Sequence, residues 1–289
     1  DSSGDDGNGG NLNLDGTLDG EMTLEDMENL KKIPLFNFTA SEDGYYYFRI
    51  KSYGDYLGNA WGAEPILYDV TGLEINPLYF VALALEEIGY PIAEITIESL
   101  SDNLPWMLPY YGVDDGHDIL NDTMIDKGAW STYTLQMYVY EYILADGLTL
   151  QGTQYEKLEE DYRQFVYKNY KALPTETMEA MQNIISEYGL NAESQTVISD
   201  VAKLVSNWVP YDLETKNYQG DYAKYFFEEA TSAVCRHYAT AAAALYRALG
   251  IPARYVSGLV GGGSAELDFS AGPAAAVPAT GNNAADGAF

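Results

Sequence analysis

The chain has 289 residues, of which 47% are hydrophobic, so it is long enough for two modest domains and apolar enough to build a core. Its 44 acidic and 15 basic residues give a net charge of −29 at pH 7, which excludes nucleic acid and anionic membrane surfaces as partners because both would repel it. A single cysteine excludes an internal disulfide, and no Cys/His spacing suggests a zinc site, so we expect no cofactor.

Residues 1–31 are predicted to form a flexible acidic leader, rich in Gly, Asn, Asp and Glu. Within it, Asp15, Asp19 and Asp26 stand at the first, fifth and last positions of a calcium loop of the EF-hand kind. The third position is Thr17, the last is Asp rather than Glu, and no helical pattern precedes the loop. Calcium binding is therefore a minor hypothesis, and we predict no other metal site.

Residues 32–150 are predicted to form a β-rich domain. The segments LFNFTA, YYYFRIKSY, AEITIESL and TYTLQMYVYEYIL are rich in β-branched and aromatic residues, and the third alternates apolar and polar positions. Together they predict a β-sandwich-like domain. The apolar stretch Ile75–Tyr90 is longer than most strands, so we expect a helix or turn packed on the sheet.

Residues 151–262 are predicted to form a helical core, because the apolar period changes after a boundary near Asp146–Gly152. Thr175 is a candidate helix cap, and Gly250 followed by Pro252 is a stop signal. The strand ARYVSGLV comes directly after that stop. Helices are expected over the segments 155–173, 175–190, 194–209 and 232–249.

Residues 263–289 form a low-complexity tail of Ala, Gly and Pro without a basic residue, and they cannot supply much core. An artificial chain end, a frame error or real divergence would each explain this change of composition. The chain also opens without Met or an apolar signal segment, and it has no run of about 18 apolar residues. We expect a fragment, or a soluble part of a longer protein.

The strongest chemical signal is Cys235, in the first turn of the last predicted helix. Backbone N–H groups at a helix start lack partners within the helix, and together with the helix dipole and Arg236 they favour the thiolate over the thiol. A thiol nucleophile requires such a lowered pKa. The alternative is a structural cysteine that packs as a small buried hydrophobe, the commoner case for an isolated cysteine.

The segment CRHYATAAAALYRALGIPARYVSG, from Cys235 to Gly258, resembles the transglutaminase-like superfamily. These papain-type thiol cores carry a Cys at a helix start, a stretch A-L-x-R-A-L-G-I-P-A-R and a strand beginning Y-V-S-G. The C-x-H-[YF]-A start is similar to that of bacterial cell-envelope members. Looser similarity to their membrane-tethered type covers Tyr47–Trp61, Pro105–Gly112 and Asp161–Pro174.

The resemblance implies acyl transfer or amide hydrolysis on proteins or peptides through a Cys–His–Asp triad, with Cys235 as the nucleophile. It also implies an extracytoplasmic location and a membrane tether in the full-length parent. Trp208 and Tyr211 stand where the family places an aromatic stretch near the nucleophile. They either pack in the core, the commoner role, or line an acyl-binding groove or the oxyanion site.

The chain departs from the family at several catalytic positions. Gly and an aromatic residue usually precede the Cys, where this chain has Ala233-Val234, and the family's H-A-W-x-E-like and D-P-T-like motifs are missing. Of the two histidines, His237 lies about 200° around the helix from Cys235, and His117 belongs to the other predicted domain. The expected site is incomplete, because acyl transfer from an amide needs a base and an acid.

The predicted fold class is α+β: an N-terminal β-sandwich-like domain, then an incomplete transglutaminase-like helical core with a short antiparallel sheet. That sheet is expected to keep the strand ARYVSGLV and at most one more from the tail. One hypothesis is a fragment of a transglutaminase-like cysteine acyltransferase or protease, inactive without its His and Asp. The other is a non-catalytic cell-envelope binding or structural module with a degenerate fold.

Overall fold

A computed structural model describes most of the predicted core and part of the β-rich region. The predicted element at Ile75–Tyr90, the leader with its calcium loop, His117 and the tail lie outside the described residues. The described residues are 36–41, 45–62, 92–100, 106, 108–109, 112–113, 119–120, 123–124, 131–138, 152–212, 214–215, 218 and 220–262.

The described strands form three antiparallel sheets. The strands are β1 Phe36–Ala40, β2 Tyr45–Tyr53, β3 Ile92–Ser99, β4 Leu108–Pro109, β5 Gly112–Val113, β6 Ile119–Leu120, β7 Thr123–Met124, β8 Thr132–Tyr138 and β9 Tyr255–Gly262. A four-stranded sheet has the order β1-β3-β8-β5, a three-stranded sheet has the order β4-β2-β9, and β6 pairs with β7.

The first two sheets share an apolar core that follows from alternation along the strands. In β3, Ala93, Ile95 and Ile97 are fully buried while Glu94 and Glu98 point outward. The buried β3 side chains pack with Tyr46, Phe48 and Ile50 of β2 and with Tyr133 and Leu135 of β8. Because side chains from both sheets meet in one cluster, this part of the chain has a two-layer β arrangement.

Five described helices lie between β8 and β9. They are α1 Glu156–Asn169, α2 Thr175–Tyr188, α3 Val197–Ser206, α4 Tyr222–Glu228 and α5 Cys235–Ala248. Helix α2 begins at Thr175 with Pro174 at the N-cap, so Thr175 is the first helical residue and its predicted role as the cap is wrong. The sequence patterns missed α4, because seven residues are too few to show a helical period. No helix in this described part is both long and apolar enough to cross a membrane.

Helix α5 is the centre of the helical core. All residues from His237 to Arg247 are buried, so neighbouring elements cover this part of α5 on every side. Helices α2, α3 and α4 pack against α5, and the run Ala241–Ala244 provides the small side chains that let them approach. Larger side chains here would overfill a closely packed core.

Strand β9 pairs with β2 along its length, from Tyr45 opposite Gly262 to Tyr53 opposite Tyr255. The sequence placed β9 in a sheet of the helical core, and that assignment is wrong: its neighbour is the strand of the N-terminal region. A Cβ atom at Gly258 would collide with the Phe48 carbonyl oxygen, so this pairing requires glycine. The two regions therefore share one sheet.

The loop after β2 connects this sheet to the helices. Tyr53 and Trp61 belong to the same buried cluster as α5, and the Trp61 ring stacks on Tyr255 with ring centres 5.5 Å apart. The Trp61 indole N–H donates a hydrogen bond of 3.0 Å to the hydroxyl of Thr240, in the middle of α5. The N-terminal region thus contributes directly to the core around the helix that carries Cys235.

Arg247, near the end of α5, is 1% exposed and donates to three backbone carbonyl oxygens. Its Nη1 reaches Ala172 at 2.9 Å, its Nη2 reaches Gly54 at 2.6 Å, and its Nε reaches Ala253 at 2.8 Å. The guanidinium also lies 4.9 Å from the ring centre of Trp61. Burial lowers the pKa of Arg247 to about 10, which leaves the group charged at neutral pH.

We predict that Arg247→Met lowers the free energy of unfolding by about 3 kcal/mol, because three carbonyl oxygens, of which that of Gly54 is in a fully buried bond, lose a charged donor while the apolar stem remains. Urea unfolding followed by circular dichroism measures this loss. The control is Arg163→Met on α1, whose side chain is 55% exposed and pairs with Glu159 at 3.3 Å. The control should change stability by less than about 0.5 kcal/mol, and equal losses in both variants would contradict the prediction.

Candidate active site

Cys235 is the first residue of α5, so its predicted place in the first turn of the last helix is confirmed, and the residue is half-buried. The residue before it, Val234, is the N-cap and has extended backbone angles, φ −113° and ψ 170°. The chain therefore runs into the helix as an extended segment and turns at the thiol. This geometry places Cys235 where the N-terminal N–H groups and dipole of α5 act on it.

The backbone before the thiol is held by residues 210–212. The N–H of Ala233 donates to the carbonyl oxygen of Pro210 at 3.0 Å, and the N–H of Asp212 donates to the carbonyl oxygen of Ala233 at 2.9 Å. These bonds form a parallel bridge between Tyr211 and Ala233, which is fully buried. Although Ala233-Val234 departs from the family pattern, both backbone groups of Ala233 are paired.

His237 supplies a third hydrogen bond to this turn. Its Nδ1 accepts the N–H of Val234 at 3.1 Å. Since valine has no side-chain acceptor, this is the returning half of a capping box, made by the third residue of the helix. The ring of His237 is 0% exposed and stacks on Tyr222 with ring centres 5.0 Å apart. His237 is thus a structural partner of the turn, and its side chain is withdrawn from solvent.

Burial, and secondarily the positive charge of Arg236, lower the pKa of His237 to about 4. At neutral pH the ring is therefore uncharged, and because Nδ1 accepts a hydrogen bond, the proton sits on Nε2. Nε2 is buried and has no hydrogen-bond partner among the described residues. A ring with one nitrogen engaged and the other enclosed has no free position from which to accept the thiol proton.

The two aromatic candidates lie in different surroundings. The Trp208 ring packs edge-on against Phe227, at 4.9 Å between ring centres, and against Tyr188, at 5.4 Å. Tyr211 forms the bridge to Ala233, and its ring lies 6.2 Å from that of Tyr238. Trp208 therefore has the contacts of a packing residue, whereas Tyr211 belongs to the segment beside the nucleophile. A role for either residue in an acyl groove or oxyanion site stays a prediction.

A polar cluster around Asp221 lies next to the site, and the sequence analysis did not predict it. Asp221 caps α4, accepts the hydroxyl of Thr177 from α2, and lies 3.0 Å from the hydroxyl of Tyr56. Burial and the negative charge of Asp221 raise the pKa of Tyr56, which keeps the phenol protonated. The next residue, Tyr222, carries the ring on which His237 stacks. The only local signal was an Asp before a seven-residue helix, which is weak by itself.

A family model and two solved structures match this chain. The family model described as the transglutaminase-like superfamily matches residues 182–283, a segment that contains α5, Cys235 and β9. This segment starts later than the predicted core boundary at 151 and extends past 262. Residues 182–283 of this chain are thus similar to the transglutaminase-like superfamily. No curated protein sequence matches the chain.

Two solved structures share the fold, and both are crystal structures of the periplasmic domain of TgpA from Pseudomonas aeruginosa. One is 14% identical, with a TM-score of 0.55, and the match covers 82% of this chain and 77% of that one. The other, bound to ethylmercury, is 16% identical, with a TM-score of 0.56, and the match covers 86% of this chain and 84% of that one. The predicted α+β fold class with short antiparallel sheets is confirmed.

The described residues show no group of three or more His, Cys, Asp or Glu side chains that is suited to hold a metal ion. Chemically, the site offers a half-buried cysteine at a helix start, a backbone turn before it that is held by hydrogen bonds, and a buried neutral imidazole bonded to that turn. Such an arrangement can present a thiolate to an electrophile.

We predict that the rate of Cys235 alkylation by iodoacetamide rises with pH to a midpoint below that of a free thiol, about 8.5, because the start of α5 favours the thiolate. Mass spectrometry at a series of pH values reads this one residue, since the chain has a single cysteine. A midpoint at or above that of a free thiol would instead identify a structural cysteine.

A second prediction concerns acid stability. Between pH 6.5 and about pH 4 the unfolded chain protonates His237 while the folded chain does not, so the folded state loses stability as the pH falls through this interval. By pH 4.5 the loss from this one group should be about 2 kcal/mol. Urea unfolding of the wild type and of His237→Gln at pH 7 and pH 4.5 measures this loss. Both proteins have the same carboxylates, so the difference between them isolates the contribution of His237. A difference in stability between the two proteins that does not change with pH would contradict the assignment.

Proposed function

We propose that this chain carries the nucleophilic half of a cysteine acyl-transfer site that acts on protein or peptide amides, with Cys235 as the nucleophile. The observation that carries the proposal is the placement of the chain's single cysteine as the first residue of a buried helix, half-exposed, behind a backbone turn held by three hydrogen bonds. The match of residues 182–283 to the transglutaminase-like superfamily supports it.

In the proposed reaction the Cys235 thiolate attacks the carbonyl carbon of the substrate, so that a C–S bond forms and the carbonyl becomes an oxyanion. Collapse of this intermediate breaks the bond to the leaving group and gives a thioester. An amine leaves only after protonation, a general-acid step worth about 10²–10⁴-fold in rate. A phenolate leaves without a proton, so an activated ester tests the nucleophile separately from the acid.

The chain has two histidines, and the ring of His237 is closed to this proton transfer because its Nδ1 is engaged and its Nε2 is buried. His117 lies outside the described residues. We propose that the chain with these two histidines forms a thioester from an activated ester but does not turn over amides at an appreciable rate. The parent protein would carry the missing His and Asp.

We further propose that the protein works outside the cytoplasm, tethered to the membrane in its full-length form, with protein or peptide substrates. The support is the fold shared with a periplasmic domain. The net charge of −29 fits neither nucleic acid nor an anionic surface as a binding partner.

The second candidate function is a non-catalytic module of the cell envelope. It is favoured by the absence of the family's histidine motif and by the Ala233-Val234 pair in place of Gly and an aromatic residue. In that case Cys235 would be a packing residue, and the preserved core would serve binding or structure only.

The deciding experiment gives wild type and Cys235→Ala a peptide p-nitrophenyl ester and, separately, a glutamine-containing peptide. We expect the wild type to release about one equivalent of p-nitrophenolate per chain and to gain the mass of the acyl group, whereas ammonia release from glutamine stays at background. The alanine variant should show neither burst nor mass gain.

Each alternative outcome has a distinct meaning. Steady ammonia release that the alanine variant loses would overturn the proposed lack of turnover and would identify a base outside this scheme. A folded wild type that the ester does not acylate would overturn the proposed nucleophile and favour the non-catalytic module.

A further inference from the structure

The turn that presents Cys235 has an unusual cap. Valine is among the poorest N-cap residues because it has no side-chain acceptor for the first N–H groups of the helix. Nevertheless α5 begins sharply after Val234, which keeps extended backbone angles. The side chain at the N-cap therefore does not fix the start of the helix, and other contacts must do so.

Two sets of contacts hold this turn from opposite sides. The bridge of Ala233 to residues 210–212 holds the extended segment from outside the helix. His237 holds it from within the helix, because its Nδ1 accepts the Val234 N–H at 3.1 Å. Val234 lies between the two anchors and is directly bonded to Cys235, so the direction in which the thiol leaves the backbone depends on both.

The surroundings of His237 indicate that a histidine is needed here for its acceptor, Nδ1, rather than for its ring shape or for Nε2. The side chain is fully buried, yet Nε2 has no partner among the described residues, and an enclosed unpaired donor is unfavourable. An apolar ring of similar shape would avoid this cost and would still stack on Tyr222. An apolar ring would, however, have no acceptor for the Val234 N–H, which Nδ1 of His237 provides.

We propose that His237 is a positioning residue for the nucleophile: its Nδ1 fixes the Val234 N–H and thereby holds Cys235 at the helix start, where the thiolate is stabilised. This inference rests on the proposed function, since it concerns the reactivity of the thiol. His237 itself does not exchange a proton with the substrate. Its contribution is lost when Nδ1 becomes protonated, because a protonated nitrogen donates and cannot accept.

The groups around the ring set the pH at which this happens. The charged and titratable groups that face His237 in the described structure are Arg236 on its own helix and Tyr222 and Tyr225 on α4. Burial of the ring, and secondarily the positive charge of Arg236, disfavour a positive charge on His237. The hydrogen bond to Val234 therefore persists across the range in which a transglutaminase-like thiol would work.

The test compares His237→Gln and His237→Leu with the wild type. Glutamine at the third helical position can return its side-chain oxygen to the N-cap N–H, as in a capping box, whereas leucine fills the space without an acceptor. The readouts are the pH midpoint of Cys235 alkylation by iodoacetamide and the rate of acylation by the p-nitrophenyl ester. Circular dichroism confirms that each variant is folded.

We expect His237→Leu to raise the alkylation midpoint by about one pH unit, which lowers the thiolate fraction at neutral pH about tenfold. His237→Gln should stay within about twofold of the wild type in thiolate fraction and acylation rate. The control is Thr240→Val, which removes the buried bond to Trp61 from the same helix but leaves the N-cap unchanged. The control should lose stability while keeping the wild-type midpoint.

The outcomes separate this inference from the proposed function. A folded leucine variant with the wild-type midpoint would overturn the positioning role, and so would a folded glutamine variant whose midpoint rises toward that of a free thiol. If leucine prevents folding, the glutamine variant alone decides. If the wild type is alkylated with a lowered midpoint but is not acylated by the ester, the proposed function is overturned. The alkylation midpoints of the two variants would still test the positioning role of His237.

Discussion

The buried guanidinium of Arg247 is the constraint on which this core depends. A charged group that is almost fully enclosed requires hydrogen-bond partners, and here they are carbonyl oxygens of three separate chain segments: after β2, between α1 and α2, and after α5. Of these bonds, the one to Gly54 is fully buried and the other two are partly buried. The arginine and the three segments therefore stabilise one another, and α5 cannot shift without breaking several bonds at once.

This anchor lies at the opposite end of α5 from the candidate nucleophile. Twelve residues separate Arg247 from Cys235, which corresponds to about 18 Å along the helix. At the thiol end the constraint comes from backbone bonds of Ala233 and from the imidazole of His237, which in turn stacks on Tyr222. Asp221 ties the start of that neighbouring helix to α2 and to the loop after β2. Both ends of α5 are thus held by polar groups, while alanines fill its middle.

The arrangement separates two requirements of a cysteine acyl transferase. Presentation of the thiol depends on the helix start and on the turn before it, and the described residues contain both. Proton transfer depends on a base and an acid, and the one described histidine is committed to the backbone. On this ground we proposed that the chain forms a thioester yet leaves amides intact. The same observations make clear why an inactive envelope module is the natural alternative.

The sequence by itself determined the local features of this protein. Alternating apolar residues located β3, the Gly250 and Pro252 signals located the end of α5, and a cysteine at a helical boundary was found at the first residue of the helix. These features follow from backbone preferences and from periodicity, which act over a few residues. The motif around Arg247 could also be recognised in the sequence, although its hydrogen bonds to three chain segments could not be predicted from it.

Only the tertiary structure decided which distant segments meet. The pairing of β9 with β2, the burial of α5 on all sides and the short helix α4 all depend on contacts between residues far apart in the chain. The same is true of His237: spacing placed it away from the thiol, but its hydrogen bond to Val234 and its stacking on Tyr222 required the folded neighbourhood. Long-range packing sets these features because burial and hydrogen-bond satisfaction are properties of the assembled core and not of any local stretch.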